Sequence, residues 1–302
     1  MLNLAPIRYA RVLSRHNGPI EKIEYSRIEV RGRALFQANA SLSERLYLER
    51  ETNEVFSTAD GTGTHESGMV ARHKAISEAI ERWALYYLCQ GGFYELHGFD
   101  EDATSSGMAA FPGLFDSQVR ARALSEAAER YCLVAWWEGL LPMQEYEAPD
   151  KGVSAYRIEN PLGKDSVILT WCKSKGGYYA YGYSAARKPE AAYWQATVEM
   201  ERAQAALSHY YLDNPGFEQD DLETVSNPME RRVLYYSLPE GHREFLEHVR
   251  SAINKRGEAP APEVLVDEKV EGPWTQYATV WRVLYRMPSK KYLNGALNTF
   301  YW

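Results

Sequence analysis

Ala75-Ile76-Ser77-Glu78-Ala79-Ile80-Glu81-Arg82 recurs as Ala123-Leu124-Ser125-Glu126-Ala127-Ala128-Glu129-Arg130, with six of eight positions identical at a shift of 48 residues. A looser copy, Ala196-Thr197-Val198-Glu199-Met200-Glu201-Arg202, follows further along. On a helix, residues i and i+3 share a face, so each full copy points two carboxylates the same way. One such cluster is ordinarily a solvated helix face. Its repetition, with Ala75, Ala79, Ala123 and Ala127 thinning the side chains beside it, points instead to helices approaching closely around a shared cation. No histidine stands three residues after these glutamates, which disfavours a di-iron bundle. All-oxygen ligation suits Mg²⁺ or Ca²⁺, and Mg²⁺ characteristically bridges carboxylates to phosphates. Arg82 and Arg130 are placed to meet phosphate oxygens. Ahead of the first copy, Gly61-Thr62-Gly63 reads as a turn that could bring backbone N–H groups toward an anion at the helix start. No Gly-x-x-x-x-Gly-Lys-Ser/Thr or Gly-x-Gly-x-x-Gly pattern occurs, so a standard nucleotide fold is not implied.

The elements that must carry these groups follow from periodicity and punctuation. Ile20–Val30 and Ala34–Ala40 read as strands joined at Arg31-Gly32-Arg33. From Ser67 to about Leu88, apolar residues recur at helical spacing, and Gly91-Gly92 ends the run. A second helix is predicted from Asp116, a plausible N-cap, to Trp137. Ser166–Lys173 and Tyr178–Ser184 flank Ser174-Lys175-Gly176-Gly177 as a hairpin. A third helix starts at Pro189 and runs to about Tyr211. Helical stretches Met229–Ser237 and His242–Lys255, a Pro-rich hinge Ala259-Pro260-Ala261-Pro262, and strands Glu263–Val270 and Gln276–Arg286 complete the chain. This order lacks a regular βαβ alternation and predicts an α+β fold, mixed β-sheets packed with helices. We expect one merged domain over 1–302: a β-rich start (1–55), three acidic helices (56–211), then helices and closing strands (212–302).

A charged fraction of 25 % beside 45 % apolar residues is that of a chain able to bury a sizeable core. The net charge of −7 argues against a nucleic-acid surface as the main partner. Cys89, Cys132 and Cys172 are far apart, without a Cys-x-x-Cys pair, which fits a reducing compartment. There is no signal-peptide pattern and no apolar run near the ~20 residues of a membrane span; a cytoplasmic location is expected. His65 and His73 read as structural or exposed.

In these motifs and their order the chain resembles the YcaO family, from Gly61-Thr62-Gly63 through Glu78-Ala79-Ile80-Glu81-Arg82, then Ser125 to Arg130 running on to Ala135-Trp136-Trp137. The stretch from Gly182 to Glu199, with Pro189, Ala192 and Ala196 between, is similar to the family's third helix, and Thr279 to Leu284 followed by Pro288 to its late strand. The resemblance spans roughly residues 18 to 300 and implies an ATP site with Mg²⁺ bridging the triphosphate. Carried over by position, it makes Glu78, Glu81, Glu126, Glu129 and Glu199 metal or Mg-water ligands, sets Arg82 and Arg130 near phosphate, and lets Gly61 and Gly63 shape the pocket. Three departures stand out. Lys74 replaces a serine and would still reach a phosphate. Gln118 replaces a glutamate and offers a neutral oxygen as ligand. Phe111-Pro112-Gly113-Leu114-Phe115 replaces an Asn-Gly-rich lead-in.

The implied reaction is ATP-dependent O-phosphorylation of a peptide backbone amide, giving an azoline, thioamide or amidine on a ribosomally made peptide. The ending Asn298-Thr299-Phe300-Tyr301-Trp302 lacks the proline-rich tail of azoline-forming members. With no room for a separate leader-binding domain of ~80–100 residues, a leader-binding or sulfur-delivery partner protein is expected to present the peptide, and family members often work as homodimers. The other reading is a catalytically reduced scaffold within such a modification complex.

Overall fold

The computed structural model describes residues 4–49, 53–253, 255 and 262–302. After one helical turn at Ala5–Arg8, the chain forms β1 (Ile20–Val30), β2 (Arg33–Leu42), β3 (Gly61–His65), α1 (Gly68–Gln90), β4 (Met108–Phe111) and α2 (Asp116–Trp137). It continues through β5 (Met143–Tyr146), β6 (Ser154–Ile158), β7 (Ser166–Lys173), β8 (Tyr179–Ala186), α3 (Pro189–Asp213), α4 (Pro228–Ser237) and α5 (Pro239–Ile253). β9 (Val264–Val270) and β10 (Thr279–Tyr285) close the order. Helices packed on antiparallel sheets make this an α+β fold, as the motif order predicts.

The chain divides into two compact units. One comprises Met1–Arg50, Thr58–Ala127 and Glu263–Arg286; the other comprises Glu51–Ser57, Ala128–Pro262 and Met287–Trp302. The chain passes from the first to the second within α2, after Ala127.

In the first unit, β1 and β2 form a hairpin with Val30 opposite Arg33. Its two loop residues, Arg31 and Gly32, both have positive φ, 49° and 75°, the twist that lets two strands close tightly. The sheet continues from β2 to β3, while β4, β10 and β9 make a second sheet. Ile76, Ile80 and Trp83 of α1 pack among Ala38, Ala40, Trp274 and Val280; each large apolar side chain so buried contributes about 1.5–3 kcal/mol. In the second unit, β5-β6-β7-β8 is one antiparallel sheet. Ala192, Tyr193, Ala196 and Met200 of α3 pack with Ile168 and Ala180 of its strands.

Three expectations are corrected. Gly61-Thr62-Gly63 is not a turn but part of β3, with Gly63 opposite Ala38 and Gly61 opposite Ala40. Asp116 is the first helical residue, within the first turn rather than capping it. Pro273–Gln276 is a 3₁₀ turn, so the last strand begins only at Thr279. The Ala259-Pro260-Ala261-Pro262 hinge lies, apart from Pro262, outside the described residues.

Two buried polar groups tie the second unit together. Glu230 takes the backbone N–H groups of Glu54, Val55 and Phe56 at 2.6, 3.1 and 2.8 Å. The Arg232 guanidinium donates to the carbonyls of Ala296 and Tyr301 at 2.9 and 3.0 Å, and to that of Tyr292. A third, His242, is 5 % exposed and stacked on Tyr179 with ring centroids 3.6 Å apart. The Tyr181 hydroxyl lies 3.1 Å from the Tyr236 carbonyl oxygen and 2.7 Å from His242 Nδ1. Burial, with the nearby Lys173 cation, lowers the His242 pKa to about 4.

An unfolded histidine takes up its proton near pH ~6.5, the folded His242 only near 4. The unfolded chain therefore binds more protons between those values, and stability falls as pH drops through that window. This one group is expected to remove about 3 kcal/mol between pH 7 and 4. Denaturant titrations of wild type and His242→Phe at both pH values measure it; equal losses in the two proteins would refute the assignment.

Candidate active site

β3 runs directly under α1, and its glycines are there because nothing larger fits. A Cβ on Gly61 would stand 2.2 Å from the Ala75 oxygen, and one on Gly63 would stand 2.0 Å from the Ala71 oxygen. The second unit repeats the device: a Cβ on Gly182 of β8 would stand 2.1 Å from the Ala196 oxygen of α3. In both cases the small residues of strand and helix bring two backbones into contact.

Close approach puts carboxylates against strand edges. The edge amide of Thr62 on β3 donates to Glu78 Oε2 at 2.9 Å, and that of Ala185 on β8 donates to Glu129 Oε2 at 2.8 Å. These are not equivalent repeat positions, since Glu78 is the first glutamate of its copy and Glu129 the second. Lys74 is exposed and donates to the Thr64 carbonyl at 3.2 Å. Glu81 and Glu126 are half-buried on α1 and α2.

The second unit brings three of the predicted residues together. Glu129 Oε1 lies 3.8 Å from Arg130 Nε. Burial raises the Glu129 pKa to about 7, against the opposing pull of Arg130 and the Ala185 amide, and the Glu199 charge pushes the same way as burial. Glu199 is exposed and pairs with Arg202 at 2.9 Å.

Each repeat arginine is held by a hydroxyl that the sequence did not single out. Arg82 Nη1 donates to Ser105 Oγ at 2.9 Å. Arg130 Nη1 donates to the Tyr183 hydroxyl at 2.8 Å and to the Trp302 main-chain oxygen at 2.9 Å. Tyr183 follows the close-packed Gly182, which is the only sequence cue to its position.

Gln118 lies in the first turn of α2, where the Oε1 faces Gly113 and, among the described residues, has no hydrogen-bond partner. Also among the described residues, no group of three or more His, Cys, Asp or Glu stands close enough to hold a metal ion. An all-protein cage is thus not what these residues build. The donor set is nonetheless oxygen throughout, and Mg²⁺ bound with phosphates and waters requires only one or two carboxylates. The residues fit that mode of binding.

No protein-family model and no curated protein matches the chain. Solved structures do. YcaO from Methanopyrus kandleri bound with AMPPCP and Mg²⁺ is 14 % identical, with 90 % of each chain covered and a TM-score of 0.52. A chain of the E. coli microcin synthetase McbBCD complex with pro-MccB17 bound is 12 % identical, with 88 % of this chain and 87 % of that one covered and a TM-score of 0.53. The chain has a YcaO-like fold.

Proposed function

We propose that this chain is an ATP- and Mg²⁺-dependent enzyme that O-phosphorylates a peptide backbone amide during modification of a ribosomally made peptide. The observation that carries the reading is that in each unit one helix bears both a strand-anchored carboxylate and a hydroxyl-held arginine: Glu78 and Arg82 on α1, Glu129 and Arg130 on α2. The fold it shares with a protein bound to an ATP analogue and Mg²⁺, and with a synthetase bound to its peptide, supports the same reading.

An amide oxygen leaves poorly. Bound Mg·ATP would supply a phosphoryl group that turns it into a leaving group once a nucleophile has added. Glu78, Glu81, Glu126, Glu129 and Glu199 would serve as ligands to Mg²⁺ or to its waters, with Gln118 adding a neutral oxygen. Lys74, Arg82 and Arg130 would direct N–H donors at phosphate oxygens, where charge develops. Gly61 and Gly63 would shape the nucleotide site through the close seat of β3 on α1. The product would be an azoline, thioamide or amidine. A partner protein would deliver the peptide, and two copies of the chain would work as a dimer in the cytoplasm. Among the described residues no helix is long and apolar enough to cross a membrane.

Calorimetric titration of the chain with ATP, with and without Mg²⁺, tests the reading. Binding that requires Mg²⁺ is expected; absence of binding with Mg²⁺ present would overturn it.

A further inference from the structure

Arginine recognises phosphate by a planar fork whose N–H directions are fixed relative to one another but not relative to the protein. Fixing one Nη fixes the plane, and with it the direction in which the remaining N–H groups project. In the second unit Arg130 Nη1 is fixed twice, by the Tyr183 hydroxyl at 2.8 Å and the Trp302 oxygen at 2.9 Å. The Tyr183 hydroxyl itself donates to that same Trp302 oxygen, closing a three-membered arrangement of guanidinium, phenol and main-chain oxygen. The Arg130 guanidinium also lies over two rings, 5.2 Å from the centroid of Tyr183 and 5.4 Å from that of Tyr301. Burial raises the Tyr183 pKa, which keeps the phenol protonated and able to donate to Trp302 while it accepts from Arg130.

The first unit solves the same problem with a serine. Ser105 sits in a loop made rigid from within. Asp102 Oδ1 takes the Thr104 amide at 2.9 Å and the Thr104 hydroxyl at 2.6 Å, and the Thr104 and Ser106 hydroxyls are 2.6 Å apart. The fully buried Arg282 donates to the Asp102 carbonyl, and its guanidinium carbon stands 3.7 Å from the Phe99 ring centroid. The hydroxyl offered to Arg82 is thus held by a loop that is itself held.

We infer that Tyr183 and Ser105 are positioning residues, whose hydroxyls hold the guanidinium planes of Arg130 and Arg82 in the orientation that receives the nucleotide's phosphates. This rests on the ATP reading above and adds to it the residues that set phosphate geometry. Pre-orientation removes the ordering cost that a loose arginine would bear on binding, so each hydroxyl is expected to change nucleotide affinity about fivefold.

Two readouts on the full chain test this. In side-chain NMR of ¹⁵N-labelled arginine without nucleotide, Arg130 is expected to show restricted rotation about Nε–Cζ in the wild type and faster rotation in Tyr183→Phe, where only the Trp302 oxygen still holds Nη1. By calorimetry with Mg·ATP, Tyr183→Phe and Ser105→Ala are each expected to bind about fivefold more weakly, with the fold intact by circular dichroism, and Ser105→Thr to keep the wild-type affinity. Free rotation in the wild type, or variants that bind Mg·ATP as tightly as the wild type, would overturn the inference. A wild type that restrains Arg130 but binds no Mg·ATP would overturn the ATP reading itself, and the nucleotide role of these hydroxyls with it.

Discussion

Changing Glu78 and Glu126 together to glutamine is expected to leave the fold intact and to weaken Mg²⁺-dependent ATP binding by at least about 100-fold. Glutamine keeps the length and planarity of glutamate. At position 78 it retains an oxygen that can accept the Thr62 amide, now made at 2.9 Å to Glu78 Oε2. What it removes is charge, and a hard dication held among waters and phosphates depends on the one or two carboxylates that touch it. Both residues are half-buried, so solvent screens their field less than it would on an open helix face. The check is calorimetric titration of the double variant with ATP and Mg²⁺, with circular dichroism to confirm the fold. Unchanged binding would remove these two carboxylates from the metal site.

Helix boundaries were legible in the sequence because the signals are local. Period 3.6 apolar spacing and a closing glycine pair placed α1, Gly68–Gln90. The span predicted for the second helix, Asp116 to Trp137, is the observed one. Short strands were not legible: Met108–Phe111, Met143–Tyr146 and Ser154–Ile158 are four or five residues each, and Met108–Phe111 is buried at every position, so no alternation marks it. The candidate site divides the same way. Its charged residues announce themselves by repetition. Their partners do not, since Tyr183 is 53 residues from Arg130 and Ser105 is 23 from Arg82, and only the packing of strands and loops brings those pairs into reach. Glycine was the ambiguous case, because a residue without a side chain serves a turn and a crowded contact equally well.

That ambiguity has a large and measurable consequence at Gly63. Were Gly61-Thr62-Gly63 a surface turn, alanine there would cost little. In β3, a Cβ on Gly63 would stand 2.0 Å from the Ala71 carbonyl oxygen and 2.7 Å from the Ala75 nitrogen. Both are backbone atoms of α1, so no side chain can swing aside, and helix and strand must separate by more than an ångström to restore van der Waals distance. Separation would open the packing of Ala38 and Ala40, both fully buried, beneath Ala71 and Ala75, and it would draw the Thr62 amide off Glu78. Overpacking against an unyielding backbone lies at or beyond the upper end of its usual range, so Gly63→Ala is expected to cost about 3 kcal/mol or more. Gly163, whose Cβ would meet nothing within 4 Å, serves as the control: alanine there is expected to change stability by less than about 1 kcal/mol. Denaturant unfolding of the two variants decides the matter. A Gly63→Ala protein as stable as the Gly163→Ala protein would mean that β3 does not press on α1, and that the glutamate-to-strand-edge contact has another cause.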